Sequence, residues 1–382
     1  MNGVDLHPGT TCSQSHRGVL VTRRTLSEPR PKDARLVAVV LSLLLILIGL
    51  VSLDLGASTR LGLAGTLKGG FAALGFAQEL PGTLQTIAEL RIYRLLVSIG
   101  VGAALALSGA LLQGTFRNHL ASPSIIGVTS GASLGAAIMI VLISGSGSFF
   151  LVDRVAGLGP LSITLAAFLG ALATTLMVTA LATTGGRISV PTLLLVGIAV
   201  NAIVGGAIAA LQRFAMEESD LMRALITWTF GRLDDRSGIH VLTIAFGLLA
   251  TICVIPYVAT ELDLFASGEG DAHGLGVNTS RVKWIALIGA SLAAAVAVSV
   301  AGQIAFVGLI TPHMLRRITG PHYRNLLWLC LLGGPVLLCG TDVIQRLLLG
   351  HAALPPGVVM SLLGGPFFLS LLLTNRSTVE AW

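Results

Sequence analysis

Ten apolar stretches, most of them long enough to cross a bilayer, constrain this chain more than any other feature. The first, Leu36–Leu53, has almost no polarity and follows Arg30, Lys32 and Arg35 directly. As a helix it reaches about 27 Å at 1.5 Å per residue, close to the hydrocarbon thickness of a membrane. A signal peptide carries a shorter apolar region of about 7–15 residues, so this stretch reads as a retained first span. Nine more follow: Ile92–Leu112, Ile125–Ile143, Leu161–Leu181, Leu193–Leu211, Ile239–Tyr257, Trp284–Ala301, Gly302–Leu315, Leu326–Cys339 and Gly357–Leu373. The eighth is short and interrupted by Gly302, Gly308 and Pro312. Irregular backbone at membrane depth survives only under protein cover or beside a water-filled path, so that segment points either to a conduit or to a kinked packing helix.

Composition supports an all-α polytopic membrane protein rather than a soluble one. Charged residues make up 11% of the chain, against about 25% in soluble domains. Glycine is abundant, with 46 residues, and aromatics are sparse at 5%; small side chains let helices in lipid approach closely. Residues 1–35 are polar, rich in Ser, Thr and Arg, and read as a disordered cytoplasmic tail. Residues 36–376 form the membrane domain, and 377–382 a second cytoplasmic tail. The net charge of +6 does not mark a nucleic-acid surface, since six of the 24 basic residues lie in the first tail and the rest are scattered. Cys12, Cys253, Cys330 and Cys339 form no CxxC pair, and no histidine pair has metal-ligand spacing, so neither a disulfide framework nor a metal site is indicated.

With both termini inside, the internal loops carry eight Lys and Arg against ten outside, which barely obeys the positive-inside rule. The outside arginines include Arg91, Arg94, Arg213, Arg223, Arg232, Arg236 and Arg346. They either pair with outside acids such as Glu89, Asp234 and Asp235 or present charge to an acidic partner. On the inside, Glu261–Lys283 is long and glycine-rich, suited to one or two short helices separated by turns, and longer than a plain connector needs. Asp342, Gln345 and Arg346 share one helix face, acid and base standing at i, i+4, as an ion pair or a functional charge at the bundle mouth. Catalysis finds little support. No GxxxxGK[ST] phosphate loop or HExxH occurs, and Ser130 and Ser133 of SGAS sit in a small-residue helix.

Four stretches together resemble the permease subunits of type II ABC importers, the FecCD-type group that takes up iron–siderophore complexes, haem and cobalamin. They are RIYRLLVSIGVGAALALSGALLQGTFRNHLASPSIIGVTSGASLGA (91–136), GEGDAHGLGV (268–277), GQIAFVGLITPHMLRRITGPHYRNLL (302–327), and TDVIQR with LPPGVVMSLLGGPFFLSLLL reaching Leu373. The resemblance covers essentially everything after the first tail. It departs at His119, where the family's RNPLA has proline, at Tyr93 in RLPR, and at Ala353-Leu-Pro-Pro in place of ELPVG.

The resemblance implies ten spans and a pair of permeases, identical or closely related, around a central path. Its partners would be two ATPase subunits, which use ATP and Mg, and an extracytoplasmic substrate-binding protein; this chain itself would bind no cofactor and no nucleic acid. It would sit among the lipids of a bacterial cytoplasmic membrane. Arg91, Arg94 and Arg346 would face outward to glutamates of the binding protein, Arg346 following Asp342. Gly268, Glu269, Ala272, Leu275 and Gly276 match the coupling segment that sits in a cleft of the ATPase, with Leu275 as its apolar knob. Ser189 and Thr192 would fall at the inner gate, and Gly197 and Asn201 on the path. The expected cargo is a ferric siderophore, with haem and cobalamin as alternatives. Two other classes are an ion-coupled secondary transporter using Asp342 and Arg346 as a relay, and an intramembrane hydrolase on Ser130 or Ser133.

Overall fold

A computed structural model describes residues 33–55, 61–73, 75–78, 80–144, 160–184, 187–350 and 354–374. Apart from residues 33–35, both expected tails lie outside the described residues, as do residues 375–376 at the end of the expected membrane domain. Fourteen helices are present among the described residues: α1 Ala34–Asp54, α2 Gly62–Ala73, α3 Thr83–Phe116, α4 Val128–Ser144, α5 Pro160–Leu181, α6 Val190–Ala215, α7 Ser219–Thr229, α8 Gly238–Ile252, α9 Ile255–Ser267, α10 Glu269–Gly274, α11 Thr279–Ala301, α12 Val307–Thr319, α13 Tyr323–Leu349 and α14 Pro356–Thr374. A two-residue antiparallel ribbon, β1 Thr183–Thr184 with β2 Arg187–Ile188, precedes α6.

Among the described residues six helices are long and apolar enough to cross a membrane: α1, α3, α5, α6, α11 and α13. The sixth apolar run is broken into α8 and α9, bent by 52°, and only the two together are long and apolar enough for a further span. The runs that become α4 and α14 are shorter apolar helices, and α12 is 13 residues long. Every one of the ten runs therefore carries a helix.

The eighth run is short and interrupted at Gly302 as expected, but Gly308 and Pro312 do not break it. Residues 302–306 are not helical, and the break is made by Gly302 at φ 73° and Phe306 at φ 65°, not by Pro312. Two bonds hold the unwound piece in place: Arg232 N donates to Ala301 O at 2.7 Å at its start, and the Gln303 side-chain amide donates to Ser133 Oγ. Pro312 sits inside α12. Proline lacks an N–H for the carbonyl four residues back, here that of Gly308, which receives a long 3.5 Å bond from Gln113 Nε2 of α3 instead.

At the centre stands α3, 34 residues long and nearly all buried from Val97 to Phe116. It packs against α13, α11, α12 and α8. A Cβ built on Gly109 would lie 1.8 Å from the carbonyl oxygen of Gly308, so the two backbones touch directly where α3 crosses α12. Such proximity is available only without side chains. Further out, α4 packs on α5 and α6, and α1 on α13. The outward faces of α1 (Leu43, Ile46, Leu47) and α6 (Leu195, Ile198, Ile203) are apolar and exposed, as a hydrocarbon surround requires.

Candidate functional sites at the two ends of the bundle

Because α3 and α13 run side by side in opposite senses, they carry polar clusters at both ends. Arg94 lies near one end of α3 and Gln113 near the other, about 28 Å apart at helical rise. At the second end Gln113 accepts from both Nη atoms of Arg316 at 3.2 Å, and Arg316 donates to Tyr323 Oη at 3.3 Å at the start of α13. The two ends are thus separated by about the thickness of a bilayer's hydrocarbon core.

At the first end Asp342 is the hub, only 4% exposed. Its carboxylate accepts from Arg94 Nη2 at 2.6 Å and Nε at 3.2 Å, and from Arg346 Nη2 at 2.9 Å. The i, i+4 pair expected on α13 is therefore formed, and a second arginine joins it. Arg346 also donates to Ser52 Oγ at 2.7 Å and to the carbonyl of Leu55, fixing the end of α1. Arg94 reaches onward to the exposed Asp234, and Arg232 pairs with Asp235. Burial, with the neighbouring charge of Arg232, pushes Arg236 down to about 10; it is still cationic at neutral pH.

Arg91 takes a different place from the outward one expected of it. It is buried, and its guanidinium donates to the carbonyls of Leu53 and Asp54 and to Thr66 Oγ1 at 3.1–3.3 Å. It ties α3 to the α1–α2 junction. Glu89 likewise accepts from Gln85 rather than from an arginine in these bonds.

At the other end, Glu261–Lys283 comprises the end of α9, the six-residue α10 and the start of α11. Gly268 and Gly276 adopt φ 138° and 86°, a region that costs glycine little and other residues much, and they bracket α10. Ala272 is fully buried, while Leu275 is 68% exposed. A cleft of about 660 Å³ lies on one side, lined by Glu269, His273, Gly276 and Lys283 among others. On the other side a cleft of about 450 Å³ is lined by Leu275, Gly276, Tyr257 and Arg281 among others. The α10 turn, with Gly276 on both walls, is a ridge carrying an apolar tip between two grooves. That shape suits insertion into a partner.

Ser189 caps the start of α6, where Thr192 Oγ1 donates to Ser189 Oγ at 2.8 Å. Further along α6, Gly197 and Asn201, about one helical turn apart, face the 124–126 turn instead of open space. A Cβ on Gly197 would meet Ile125 O at 2.1 Å, and Asn201 Nδ2 donates to Ser124 O at 3.0 Å. Ser130 donates to Asn201 Oδ1 at 2.6 Å, and Ser133 donates to Thr129 O at 2.9 Å. Both serines thus serve local packing, and neither of these bonds involves a base. Among the described residues no cluster of His, Cys, Asp and Glu could hold a metal ion.

Lys283 and the 124–126 turn escaped the sequence reading. Lys283 binds Glu269 across fourteen residues that change direction twice, and no periodicity links them. The bond from Asn201 to the 124–126 turn is equally non-local.

The FecCD transport family model matches residues 37–374. The chain is 39% identical over 295 residues to the cobalamin import system permease protein BtuC of Halobacterium salinarum, covering 77% of this chain and 75% of that protein. It is 32% identical over 352 residues to the Fe(3+)-citrate import system permease protein YfmD of Bacillus subtilis, covering 92% and 98%. Among solved structures, an inward-facing transporter described as of the metal-chelate ABC type aligns with TM-score 0.72 at 25% identity, over 89% of this chain and 99% of that one. These relatives are transport permeases, not enzymes, and the fold is that of a type II ABC importer permease. The family match runs from within α1 to the end of α14 and takes in both polar ends, so this multi-pass chain is the permease subunit of an ABC importer and belongs to the FecCD transport family.

Proposed function

We propose that the chain carries a ferric siderophore complex across the bacterial cytoplasmic membrane. A second permease subunit, two ATPase subunits and an extracytoplasmic binding protein complete the importer. The observation that carries the cargo is coverage: the Fe(3+)-citrate permease aligns over 98% of its own length, including both polar ends. Cobalamin is the second reading, favoured by the higher identity to BtuC over a shorter segment, and haem is a further arm of the test.

In this reading the end built on Asp342 receives the binding protein. Arg94 is the residue offered, its side chain 17% exposed beside the 56% exposed Asp234, while Arg346 and Arg91 hold the surface rigid from behind. Exposed ion pairs contribute about 0.2–1 kcal/mol each, so these charges set orientation and encounter rate more than total affinity. Gly268, Glu269, Ala272, Leu275 and Gly276 form the ATPase coupling segment. Ser189 and Thr192 form the inner gate, and Gly197 with Asn201 shapes the path wall by pinning the 124–126 turn to α6. ATP-driven closure of the ATPase pair shifts the segment and tilts the spans, a rigid-body switch between outward- and inward-open states.

Leu275→Asp places a charge on the tip that enters the ATPase groove. Uptake is expected to fall by at least tenfold while the isolated permease keeps its fold by circular dichroism and thermal unfolding. Wild-type uptake in that variant contradicts the coupling assignment. The cargo is tested by uptake into proteoliposomes of the complete importer from a panel of radio-iron siderophores, haem and cobalamin. Selective accumulation of an iron chelate is the expected result, and selective uptake of cobalamin or haem replaces it.

A further inference from the structure

Few contacts join α10 to the bundle. It lies between Gly268 and Gly276, two positions of positive φ, so the backbone can pivot at both ends with little steric resistance. Between them Ala272 supplies one buried methyl. The polar attachment is Glu269, whose two carboxylate oxygens accept from Lys283 Nζ at 2.7 and 2.8 Å. The pair is lopsided: the Lys283 side chain is 10% exposed and that of Glu269 51%. Lys283 therefore belongs to the body of the bundle, in the first turns of α11, and Glu269 to the segment outside it.

From α11 the contacts continue towards the gate. α11 touches β2, and Ile188 of β2 lines the same 660 Å³ cleft as Glu269 and Lys283. β2 leads directly into Ser189, the cap of α6. We propose that the Glu269–Lys283 pair is the strut that carries a displacement of the coupling segment into α11 and, through β2, to the start of α6 at Ser189 and Thr192. This rests on the coupling reading given above. A methyl contact such as that of Ala272 can slide at little cost, whereas separating the pair leaves a mostly buried ammonium without its carboxylate. The ionic contact is therefore the one that transmits force, and Glu269 and Lys283 are positioning residues for the transport cycle.

The test uses the complete importer in proteoliposomes loaded with ATP, with a radio-iron hydroxamate chelate as probe and chelate transported per ATP hydrolysed as the readout. Glu269→Gln and Lys283→Met are each expected to lower that ratio by about fivefold to tenfold, the low end of couplings between distant sites, with ATP hydrolysis retained. The exchanged pair, Glu269→Lys with Lys283→Glu, is expected to recover most of it. Hydrogen exchange on the purified permease supplies a second readout, with faster exchange over residues 266–278 in Glu269→Gln. A wild-type ratio in Glu269→Gln while Leu275→Asp uncouples overturns the strut and leaves the coupling reading standing. A wild-type ratio in both variants overturns the coupling reading itself. Lowered ratios with no rescue by the exchange and unchanged hydrogen exchange also overturn the strut.

Discussion

Gly109→Leu is expected to leave almost no folded permease. The new Cβ would begin 1.8 Å from the carbonyl oxygen of Gly308 and 2.4 Å from its carbonyl carbon. Both are backbone atoms of α12, so no side chain can rotate away. Overpacking a well-filled interior costs about 1–3 kcal/mol and sometimes more. Here the obstruction is a helix backbone on the central element, and about 3 kcal/mol or more is expected. A loss of that size is a large fraction of the stability of a whole domain. The comparison is Gly205→Leu on α6, where a Cβ would meet nothing within 4 Å. Size-exclusion profiles and thermal unfolding in detergent separate the two: Gly205→Leu behaves as wild type, and Gly109→Leu aggregates or melts far lower. A monodisperse Gly109→Leu protein with an unchanged midpoint contradicts the packing of α3 on α12.

The second large effect is expected at Asp342. Its carboxylate compensates Arg94 and Arg346 at once and is itself nearly inaccessible. Asp342→Ala leaves two guanidinium groups facing each other with one shared acid removed. Breaking a buried pair by deleting one partner costs about 3–5 kcal/mol. Asp342→Ala with Arg94→Leu removes part of the repulsion and is expected to recover a substantial share of the loss, a coupling that a double-mutant cycle measures. Additive losses contradict the hub. The same cycle bears on the relay alternative. The carboxylate is held by two arginines and by Gln345 Nε2 at 3.4 Å, the geometry of an electrostatic clasp between α3 and α13.

The helices were legible because lipid leaves a simple mark: each span has to be apolar over its whole length. The interruptions were less so. Gly302 and Pro312 both break helices by propensity, but only tertiary contacts decide which does. Gln113 of α3 offers a donor to the carbonyl that Pro312 frees, and no comparable partner rewinds residues 302–306. α2 and α7, at 12 and 11 residues, lie between the apolar runs and were not foreseen.

The sites divide in the same way. Arg94, Asp342 and Arg346 were visible as motif residues, and helical spacing paired the last two correctly. Arg91 and Arg94, three residues apart, look like neighbours on one face of α3, yet they meet different partners. Arg91 meets the carbonyls at the end of α1, and Arg94 the acid of α13. Their roles were set by what packs beside each, which local spacing does not encode. Leu275 could be picked out as an apolar residue in a polar, glycine-rich loop. The lysine that anchors that loop could not, because its partner is fixed by a turn and not by a repeat.

ATP dependence of uptake tests the account most directly. Proteoliposomes containing the permease with its ATPase subunits are loaded with ATP or left empty and given the radio-iron chelate with or without the binding protein. Accumulation that requires both internal ATP and added binding protein, and that is abolished by Leu275→Asp, is the predicted result. Accumulation driven by a proton gradient without ATP contradicts it.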